Sequence, residues 1–474
     1  MVAAPSSWPG EALDHAAPVV FWSDRPDAPP AAPALTTRAA PLHADLVVVG
    51  GGFTGLWAAI QALEDEPGRR VVVLEAERCG FGASSRNGGF CDASLTHGVE
   101  NGFSHWPDEM DVLTRLGREN FDALEATLAR HAVEAAFRRA DEVAVASAPW
   151  QLADLESTVA THRAVGDDVE LLDRAQMQAL VHSPTYLGAL VRHNDFALVD
   201  PARLVWGLRA AAESLGATVF EHVRVEGIDA DRRGGLSVRV AGVTITADQV
   251  LVATNAYRGP VRRTRRYVIP VYDHVLVTEP LSAAQWDAVG WAGGAGLSDA
   301  ANQFHYYRPT EDGRILYGGY DATYHFGNGV GPAHDQSDET HGLLAQHFFA
   351  TFPQLEGLRF THRWGGPIAT TTRFTAAWGT SHGGGVVWVA GYTGLGVAAS
   401  RFGARVALDL LAGAPTERTE LTMVRRPPFP FPPEPLRWAG VALTRRAIQR
   451  SDAREGRRGP WLGLLDRFGI GFDS

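Results

Sequence analysis

The pattern of apolar and polar residues predicts a strand–helix–strand unit near the start of the fold. The run Asp45-Leu-Val-Val-Val-Gly50 is continuously apolar, which is typical of a strand buried within a parallel sheet. Residues 53–64 are rich in alanine and have the apolar spacing of a helix, and Arg70-Val-Val-Val-Leu-Glu75 repeats the strand pattern. We therefore predict a βαβ unit over these residues.

Helical and strand patterns alternate along the rest of the chain. An amphipathic helix is predicted within residues 109–139, and Asp200-Pro201 supplies the N-cap and first-turn proline of a helix that runs to about Leu215. A strand at 386–390 leads into a helix that ends near Leu411, with Gly413 as its stop. Other strands are predicted at 217–220, 235–240, 243–246, 250–254, 275–278 and 314–318.

Both ends of the chain lack this periodicity. Residues 1–43 are rich in alanine and proline and predict an extended arm, held to the fold by Phe21 and Trp22. Residues 427–435 form a proline-rich linker before a short terminal helix. No apolar run reaches about 18 residues and no signal-peptide pattern precedes the fold, so we expect a cytoplasmic protein without a membrane span.

The composition is that of a globular protein and excludes several kinds of chemistry. The 474 residues include no lysine, so all 43 basic residues are arginine. Such a chain cannot form a lysine Schiff base and cannot contain a Walker A phosphate loop. The net charge of −11 argues against broad electrostatic binding to nucleic acid or anionic lipid. Cys79 and Cys91 are too few for a disulfide framework or a cysteine-rich metal centre, and we predict no metal site.

The turn after the first predicted strand contains a dinucleotide-binding motif. Gly50, Gly52 and Gly55 satisfy G-x-G-x-x-G, in which the glycines permit a tight turn, a close approach to pyrophosphate and close helix–strand packing. The helix N-terminus offers free N–H groups to the phosphates. Glu75 ends the second strand, where a carboxylate can bind the ribose hydroxyls. These features together predict a dinucleotide site.

The residues after Glu75 favour FAD over NAD. Residues 78–90 are a long run of small and polar residues, which suits a backbone that runs alongside an extended cofactor. NAD-binding folds usually enter a helix at this point. Much later, Gly391-Tyr-Thr-Gly-Leu-Gly396 opens a helix whose positive N-terminal end would stabilise the negative charge of a reduced flavin.

The sequence resembles the D-amino-acid-oxidase-like FAD oxidoreductases, the superfamily of glycine, sarcosine and D-amino-acid oxidases. Within it, Gly82-Ala-Ser-Ser-Arg-Asn-Gly-Gly89 is most similar to the γ-glutamylputrescine oxidase and aminophosphonate oxidoreductase branch. Three more segments match, namely Val252-Ala-Thr-Asn-Ala-Tyr257, Tyr307-Arg-Pro-Thr-Glu-Asp-Gly-Arg314 and Trp364-Gly-Gly366. The resemblance covers roughly residues 44–415 and is not specific for a substrate.

The resemblance implies an α/β fold in which a Rossmann-like FAD-binding domain is interleaved with a mixed-sheet α+β substrate domain. The FAD-binding domain would comprise residues 44–98, 195–258 and 361–425, and the substrate domain residues 99–194 and 259–360. An N-terminal arm (1–43) and a C-terminal linker and helix (426–474) complete the predicted organisation.

The resemblance also implies which residues bind FAD non-covalently. Val225 would meet the adenine through its backbone, Thr254 and Asn255 would lie by the pyrophosphate, and Gly394 to Val397 would lie at the pyrimidine edge of the flavin. The predicted FAD-binding residues are Gly50, Gly52, Phe53, Thr54, Gly55, Glu75, Ala76, Gly82, Ala83, Ser84, Ser85, Arg86, Asn87, Gly88, Gly89, Val225, Thr254, Asn255, Gly391, Gly394, Leu395, Gly396 and Val397.

Members of this superfamily oxidise a C–N bond by hydride transfer from the carbon next to a neutral amine to flavin N5, followed by imine hydrolysis and reoxidation by oxygen. Arg308 occupies a position that often faces the flavin, so it is a candidate for binding a substrate carboxylate or phosphonate, with a structural salt bridge as the alternative. Tyr307 and Tyr272 are candidate pocket walls and His274 a candidate amine partner, although residues of these types are more often found in the core or at the rim. An arginine cluster (Arg258, Arg262, Arg263, Arg265 and Arg266) is either a solvated surface or a device that attracts an anionic substrate.

Two departures from the superfamily bear on the chemistry. Some relatives bind FAD covalently through a late cysteine, and no cysteine follows Cys91 here. Some relatives use a lysine beside the flavin to reduce oxygen, and this chain has none. The main alternative is therefore an amine dehydrogenase that passes electrons to a quinone or carrier. A flavin monooxygenase is disfavoured because the chain lacks a second G-x-G-x-x-G unit, and a flavoprotein without catalytic activity is the remaining alternative.

Overall fold

The computed structural model describes residues 10–35, 43–230, 235–240, 242–291 and 293–470, and the predicted βαβ unit lies at the centre of its first sheet. His43–Val49 pairs in parallel with Val71–Leu74 on one side and with Val243–Val252 on the other. Helix Phe53–Asp65 connects the first two of these strands. The prediction of a βαβ unit is thus confirmed.

Further strands extend this first sheet at both edges. The parallel strands are Thr218–Phe220, beside Val71–Leu74, and Val386–Ala390, beside Val243–Val252. The antiparallel strands are Val225–Ala230, Leu236–Val240 and Ala377–Ser381. The strands predicted at 243–246 and 250–254 are one continuous strand, in which Asp248 is exposed and Gln249 is half-buried.

The second sheet is mixed, as the sequence predicts. Gly296–Asp299 pairs in parallel with Glu142–Ala146, whereas Ile269–Thr278 pairs antiparallel with Phe360–Thr370. The segment predicted from residue 361 for the FAD-binding domain therefore begins with a strand of the second sheet. The other strands of this sheet are Val169–Leu172, Gly188–Arg192, His305–Pro309, Ile315–Gly319 and Thr323–Tyr324. A small separate sheet consists of Phe90–Asp92, Arg138–Arg139 and Phe196–Leu198.

Helices cover both sheets, and their ends follow local sequence signals. The Asp200 side chain accepts a hydrogen bond from the Arg203 N–H and caps helix Pro201–Ser214, and Gly413 ends helix Gly396–Ala412 with a φ of +71°. The remaining α-helices are Gly10–Leu13, Ala83–Arg86, Val99–His105, Met110–Arg130, Pro149–Ala164, Arg174–Leu180, Ala283–Val289, Asp338–Thr351, Glu417–Glu420, Thr422–Arg425, Leu436–Asp452 and Pro460–Arg467. Short 3-10 turns lie at Phe21–Ser23, Pro107–Glu109, Arg262–Arg266, Pro332–His334, Pro353–Leu355 and His382–Gly384.

Two of these helices, Leu436–Asp452 and Pro460–Arg467, replace the single short terminal helix that the sequence predicts. None of the helices among the described residues combines the length and apolar character needed to cross a bilayer.

The described part of the N-terminal arm, residues 10–35, packs along the fold, whereas residues 1–9 and 36–42 lie outside the described residues. Phe21 and Trp22 are buried, as expected, and the Trp22 indole donates a hydrogen bond of 3.0 Å to the Asn87 carbonyl. The Ala32 N–H donates to the buried Glu221 carboxylate at 2.7 Å. The arm therefore contacts the segment that the sequence predicts for the cofactor.

Candidate cofactor and substrate site

A cavity of about 2080 Å³ opens where the parallel strands of the first sheet end and extends to the second sheet. Val49, Leu74 and Ala253, at the carboxyl ends of three adjacent strands, line it. This edge of an open parallel sheet is where such folds bind nucleotides. Most of the residues predicted to bind FAD line the cavity, namely Gly50, Gly52, Phe53, Thr54, Glu75, Ala76, Gly82, Ala83, Ser84, Arg86, Asn87, Gly88, Val225, Thr254, Asn255, Gly394, Leu395, Gly396 and Val397.

The glycine motif forms a tight turn with no space for side chains. Gly50 has a φ of +113°, and a Cβ atom there would lie 2.7 Å from the Ala253 carbonyl oxygen. A Cβ at Gly55 would lie 1.9 Å from the Gly50 carbonyl oxygen, so Gly55 is required for the packing of helix on strand and does not itself line the cavity. Gly52 precedes the helix, and the first helical N–H, of Phe53, donates to the Ser84 hydroxyl at 3.0 Å. This turn leaves backbone accessible to a pyrophosphate.

Glu75 is held rigidly at the end of the cavity expected for the ribose. Its Oε2 accepts a hydrogen bond of 2.7 Å from the Gly51 N–H, and its Oε1 accepts one of 2.9 Å from the Glu77 N–H. Burial nevertheless raises the pKa of Glu75 above its usual range. The neighbouring lining residues Val223 and Val225 supply apolar surface at this end.

The segment 82–89 is folded back on itself beside the cavity. The Asn87 side chain donates hydrogen bonds of 3.0 Å to the carbonyls of Ala83 and Ser84, and its Oδ1 accepts one of 2.8 Å from the Gly89 N–H. Arg86 donates to the Asp335 carboxylate at 2.9 Å and to the Gly365 carbonyl at 2.8 Å. Ser85 and Gly89 of the predicted set do not line the cavity.

A second helix N-terminus faces the same cavity. Gly394 to Val397 lie at the start of helix Gly396–Ala412 and line the cavity. The Asn255 side chain, on a residue with a φ of +46°, accepts a hydrogen bond of 3.0 Å from the Gly391 N–H, which fixes this turn although Gly391 is not a lining residue. The Thr54 hydroxyl donates to the Tyr392 hydroxyl at 2.9 Å, so the two helix starts are directly connected.

These residues fit an FAD molecule. The glycine turn provides a cradle that a Cβ atom would fill, and a carboxylate stands at its ribose end. Two helix N-termini present N–H groups and partial positive charge to the cavity, as the predicted contacts with the pyrophosphate and with the pyrimidine edge of the flavin require.

Arg308 has a different environment from the one predicted. Its Nη1 donates hydrogen bonds to the carbonyls of Val199 at 2.7 Å and Gly89 at 3.2 Å, and its guanidinium lies 5.5 Å from the centre of the Trp22 ring. Burial lowers its pKa to about 9. Arg308 is not a lining residue, and no carboxylate of the described residues lies within 4.0 Å of it. The Arg308 guanidinium therefore donates to backbone carbonyls. In this conformation it forms neither a binding site for a substrate anion nor a salt bridge.

The other three catalytic candidates divide between the cavity and the core. Tyr272 lines the cavity, its hydroxyl accepts a hydrogen bond of 3.0 Å from the Gly331 N–H, and burial raises its pKa to about 12. Tyr307 and His274 do not line it. The Tyr307 hydroxyl accepts from Tyr186 at 2.8 Å within the core, and burial lowers the pKa of His274 to about 4. Catalytic roles for Tyr307 and His274 therefore have no support in this geometry.

Asp273 and Tyr306 form a polar pair in the cavity that is absent from the predicted site residues. The Tyr306 hydroxyl donates a hydrogen bond of 2.6 Å to Asp273 Oδ2, and both residues line the cavity. Desolvation raises the pKa of Asp273 to about 6, although the Tyr306 hydroxyl opposes this shift. A Cβ at Gly88 would lie 2.6 Å from the Tyr306 ring, so this ring packs directly on the predicted cofactor segment. The signal in the sequence was strand alternation, which places Tyr306 and Tyr307 on opposite faces.

The arginine cluster also divides. Arg258 lines the cavity, whereas the remaining four arginines of the cluster are exposed on the 3-10 turn Arg262–Arg266.

The parallel sheet and the glycine turn at the edge of the cavity are those of a dinucleotide-binding protein. The family model described as FAD dependent oxidoreductase (DAO) matches residues 45–410, and the chain belongs to this family. FAD is its cofactor, and the predicted superfamily is confirmed.

Two relatives match over most of their length. The chain is 31% identical over 395 residues to the gamma-glutamylputrescine oxidoreductase of Escherichia coli (strain K12), and this match covers 82% of the chain and 88% of that protein. It is 28% identical over 387 residues to the probable oxidoreductase OrdL of Haemophilus influenzae, a match covering 78% of the chain and 83% of that protein.

Solved structures of low sequence identity share the fold. Glycine oxidase from Geobacillus kaustophilus superposes with a TM-score of 0.66 at 21% identity, covering 80% of this chain and 96% of that one. L-Proline dehydrogenase from P. horikoshii also superposes with a TM-score of 0.66, at 17% identity and with the same coverage. The predicted α/β class with a mixed-sheet second domain is thereby confirmed.

Proposed function

We propose that this protein oxidises the C–N bond of a small amine or amino-acid-like substrate. The relative from Escherichia coli is named for γ-glutamylputrescine, and structural neighbours are named for glycine, L-amino acids and iminodiacetate. All of these compounds contain an amine nitrogen next to a carbon that bears hydrogen. The compounds for which these proteins are named support oxidation of a C–N bond as the reaction class, without specifying one amine.

The observation that carries the proposal is the Asp273–Tyr306 pair. It places a carboxylate in the cavity beside the predicted cofactor segment, where it can attract a substrate ammonium group. An amine is protonated at neutral pH, and its nitrogen must lose that proton before the neighbouring C–H bond can release a hydride. The raised pKa of Asp273, about 6, makes this carboxylate a better proton acceptor than an ordinary aspartate.

The remaining contributions of the chain are binding and orientation. FAD, when bound, supplies the two-electron acceptor for the hydride. Residues of the glycine turn, Glu75 and the start of helix Gly396–Ala412 would hold it, without a covalent bond to cysteine. Tyr306 orients the Asp273 carboxylate, and Tyr272 supplies apolar wall. Water then hydrolyses the imine to a carbonyl compound and the released amine or ammonia.

The electron acceptor in this proposal is oxygen, which yields hydrogen peroxide. Transfer to a quinone or a carrier protein is the second candidate, because the chain contains no lysine that would assist oxygen reduction beside the flavin. Peroxide yield with oxygen as sole acceptor, compared with reduction of a soluble quinone, separates the two.

Anaerobic reduction of the bound flavin tests the proposal. We expect loss of the yellow absorbance with at least one member of a panel of polyamines, N-methyl amino acids, D-amino acids and aminophosphonates. Full bleaching by dithionite but by no amine in the panel would contradict the proposed substrate class. Because dithionite reports on the flavin alone, this control separates a wrong substrate class from a damaged protein.

A further inference from the structure

One side of helix Leu436–Asp452, near the C-terminus, forms part of the cavity wall. The lining residues of this helix recur every three or four positions, as expected for one helical face. They are Leu436, Arg437, Gly440, Val441, Thr444, Arg445 and Ile448. The following helix, Pro460–Arg467, packs on it, and its Trp461 indole donates a hydrogen bond of 3.0 Å to the Thr444 hydroxyl. Both helices therefore lie at the border between the cavity and the outside.

This pair of helices also exposes large apolar side chains to solvent. Trp438 and Leu443 are 47% and 42% exposed, and Leu464 and Phe468, one helical turn apart, are 43% and 63% exposed. Leu436, at the start of the first helix, is 65% exposed. Of the ten large hydrophobic residues that are exposed among the described residues, half are thus concentrated in this one segment of 33 positions, 436–468.

Unpaired arginines accompany these apolar residues. Residues 436–470 contain eight arginines and three acidic residues, a net charge of +5, whereas the whole chain carries −11. Arg446, Arg450, Arg454 and Arg467 are exposed, and within the described ranges none of them has an acidic group within 4.0 Å. The segment is therefore a basic and apolar surface on an otherwise acidic protein.

We call the exposed residues among positions 436–468 the C-terminal face. We propose that this face lies on the surface of an anionic lipid bilayer. Exposed leucine and aromatic side chains next to arginines are the combination that binds the interface between headgroups and acyl chains. The negative body of the protein prevents a general attraction to anionic lipid, so only this face would bind.

Charge argues for lipid over a second copy of this chain. A symmetric dimer through the C-terminal face would bring the exposed arginines of two copies together, among them Arg446, Arg450 and Arg467, which costs free energy. An anionic bilayer instead neutralises the arginines while the apolar side chains leave water. The helix that rests on the lipid would then also line the cavity, so a lipid-soluble electron acceptor or an amphiphilic amine would reach the cavity from the membrane side. The docking itself does not depend on the proposed reaction.

Vesicle flotation with the full-length flavoprotein tests this inference. We expect binding to vesicles of phosphatidylcholine with about one third phosphatidylglycerol, weak binding to phosphatidylcholine alone, and release at high salt. The combined variant Arg446→Gln/Arg450→Gln/Arg454→Gln should weaken binding by roughly 100-fold, since each arginine near an anionic surface contributes about fivefold. Leu443→Ser/Leu464→Ser/Phe468→Ser should weaken it comparably by removing apolar contacts.

A matched control removes the same charge from another exposed surface. Arg262→Gln/Arg263→Gln/Arg265→Gln should leave vesicle binding within about twofold of the wild type, because these arginines lie on a turn without exposed large apolar residues and do not belong to the C-terminal face. Only variants that retain the flavin content and the melting temperature of the wild type are compared. Failure of the wild type to bind the anionic vesicles, or an equal loss in the control variant, would overturn the inference. So would a concentration-dependent dimer that the serine variant dissociates, since it would identify a second copy as the occupant.

Discussion

The Tyr306 hydroxyl donates a hydrogen bond of 2.6 Å to the Asp273 carboxylate, across two strands of the second sheet that are separated by Ile315–Gly319. The tyrosine ring reaches Asp273 because the intervening strand has a glycine at 318, where a Cβ would lie 2.7 Å from the ring. The bond lowers the pKa of Asp273, while burial raises it to about 6 overall. Asp273 and Tyr306 together should therefore determine the pH at which activity falls on the acid side of the pH–activity profile.

Asp273→Asn should lower kcat/KM for an amine by about 100-fold or more at pH 7.5, because the amide neither attracts the ammonium group nor accepts its proton. FAD binding should be unchanged, and flavin absorbance after gel filtration checks this. Asp321→Asn is the matched control, because Asp321 also lines the cavity but pairs with Arg445. Equal losses in both variants would argue against a specific role for Asp273.

The pH dependence of kcat/KM should show a limb near pH 6, with activity falling as Asp273 becomes protonated below it. Tyr306→Phe removes the donor that stabilises the carboxylate, so the pKa of Asp273 should rise and the limb should move to higher pH. Profiles measured with two amines of different basicity distinguish this limb from that of the substrate, which moves with the amine. A limb that stays in place in Tyr306→Phe would show that Asp273 is not the titrating group.

Arg308→Ala tests the two possible roles of this arginine. The geometry predicts a loss of stability of about 3 kcal/mol, because the carbonyls of Gly89 and Val199 would lose charged hydrogen-bond donors. KM should then change equally for amines with and without a carboxylate or phosphonate. A selective rise in KM for the anionic amines would instead support the predicted anion-binding role, and thermal melting measures the structural part.

Features formed by residues close in sequence, such as the glycine turn, were predictable from the sequence. Contacts between residues far apart in sequence, such as those of Arg308 and Asp273, were not. Gly50 and Gly55 are required by a turn that involves few residues, so their spacing predicts both the turn and the nucleotide site. Arg308 was misplaced because its partners, Gly89 and Val199, come from segments more than 100 residues away. Asp273 lies next to two residues that were named as candidates, and only the strand register shows that it meets Tyr306 in the cavity.

Glu75→Gln should weaken FAD binding by about 10- to 100-fold, because a neutral amide offers one acceptor where the carboxylate offers two to the N–H groups of Gly51 and Glu77. Glu77→Gln is the control, since Glu77 enters this turn through its backbone. Fluorescence titration of the apoprotein with FAD measures both. An unchanged affinity in Glu75→Gln would place the ribose contacts elsewhere.

Trp22 connects the N-terminal arm to the cofactor segment, and two substitutions separate its contributions. Trp22→Phe removes the hydrogen bond to the Asn87 carbonyl but keeps an apolar ring, so we expect a loss of about 1 kcal/mol in stability. Trp22→Ala also removes a buried ring that packs over Arg308, and we expect a loss of about 3 to 5 kcal/mol. Because Asn87 and Gly88 line the cavity, Trp22→Ala should also release FAD at lower denaturant concentrations than it unfolds the second sheet. Flavin fluorescence and circular dichroism, followed in the same urea titration, measure FAD release and unfolding respectively. If the two transitions coincide, the arm stabilises the whole fold and has no specific effect on the cofactor segment.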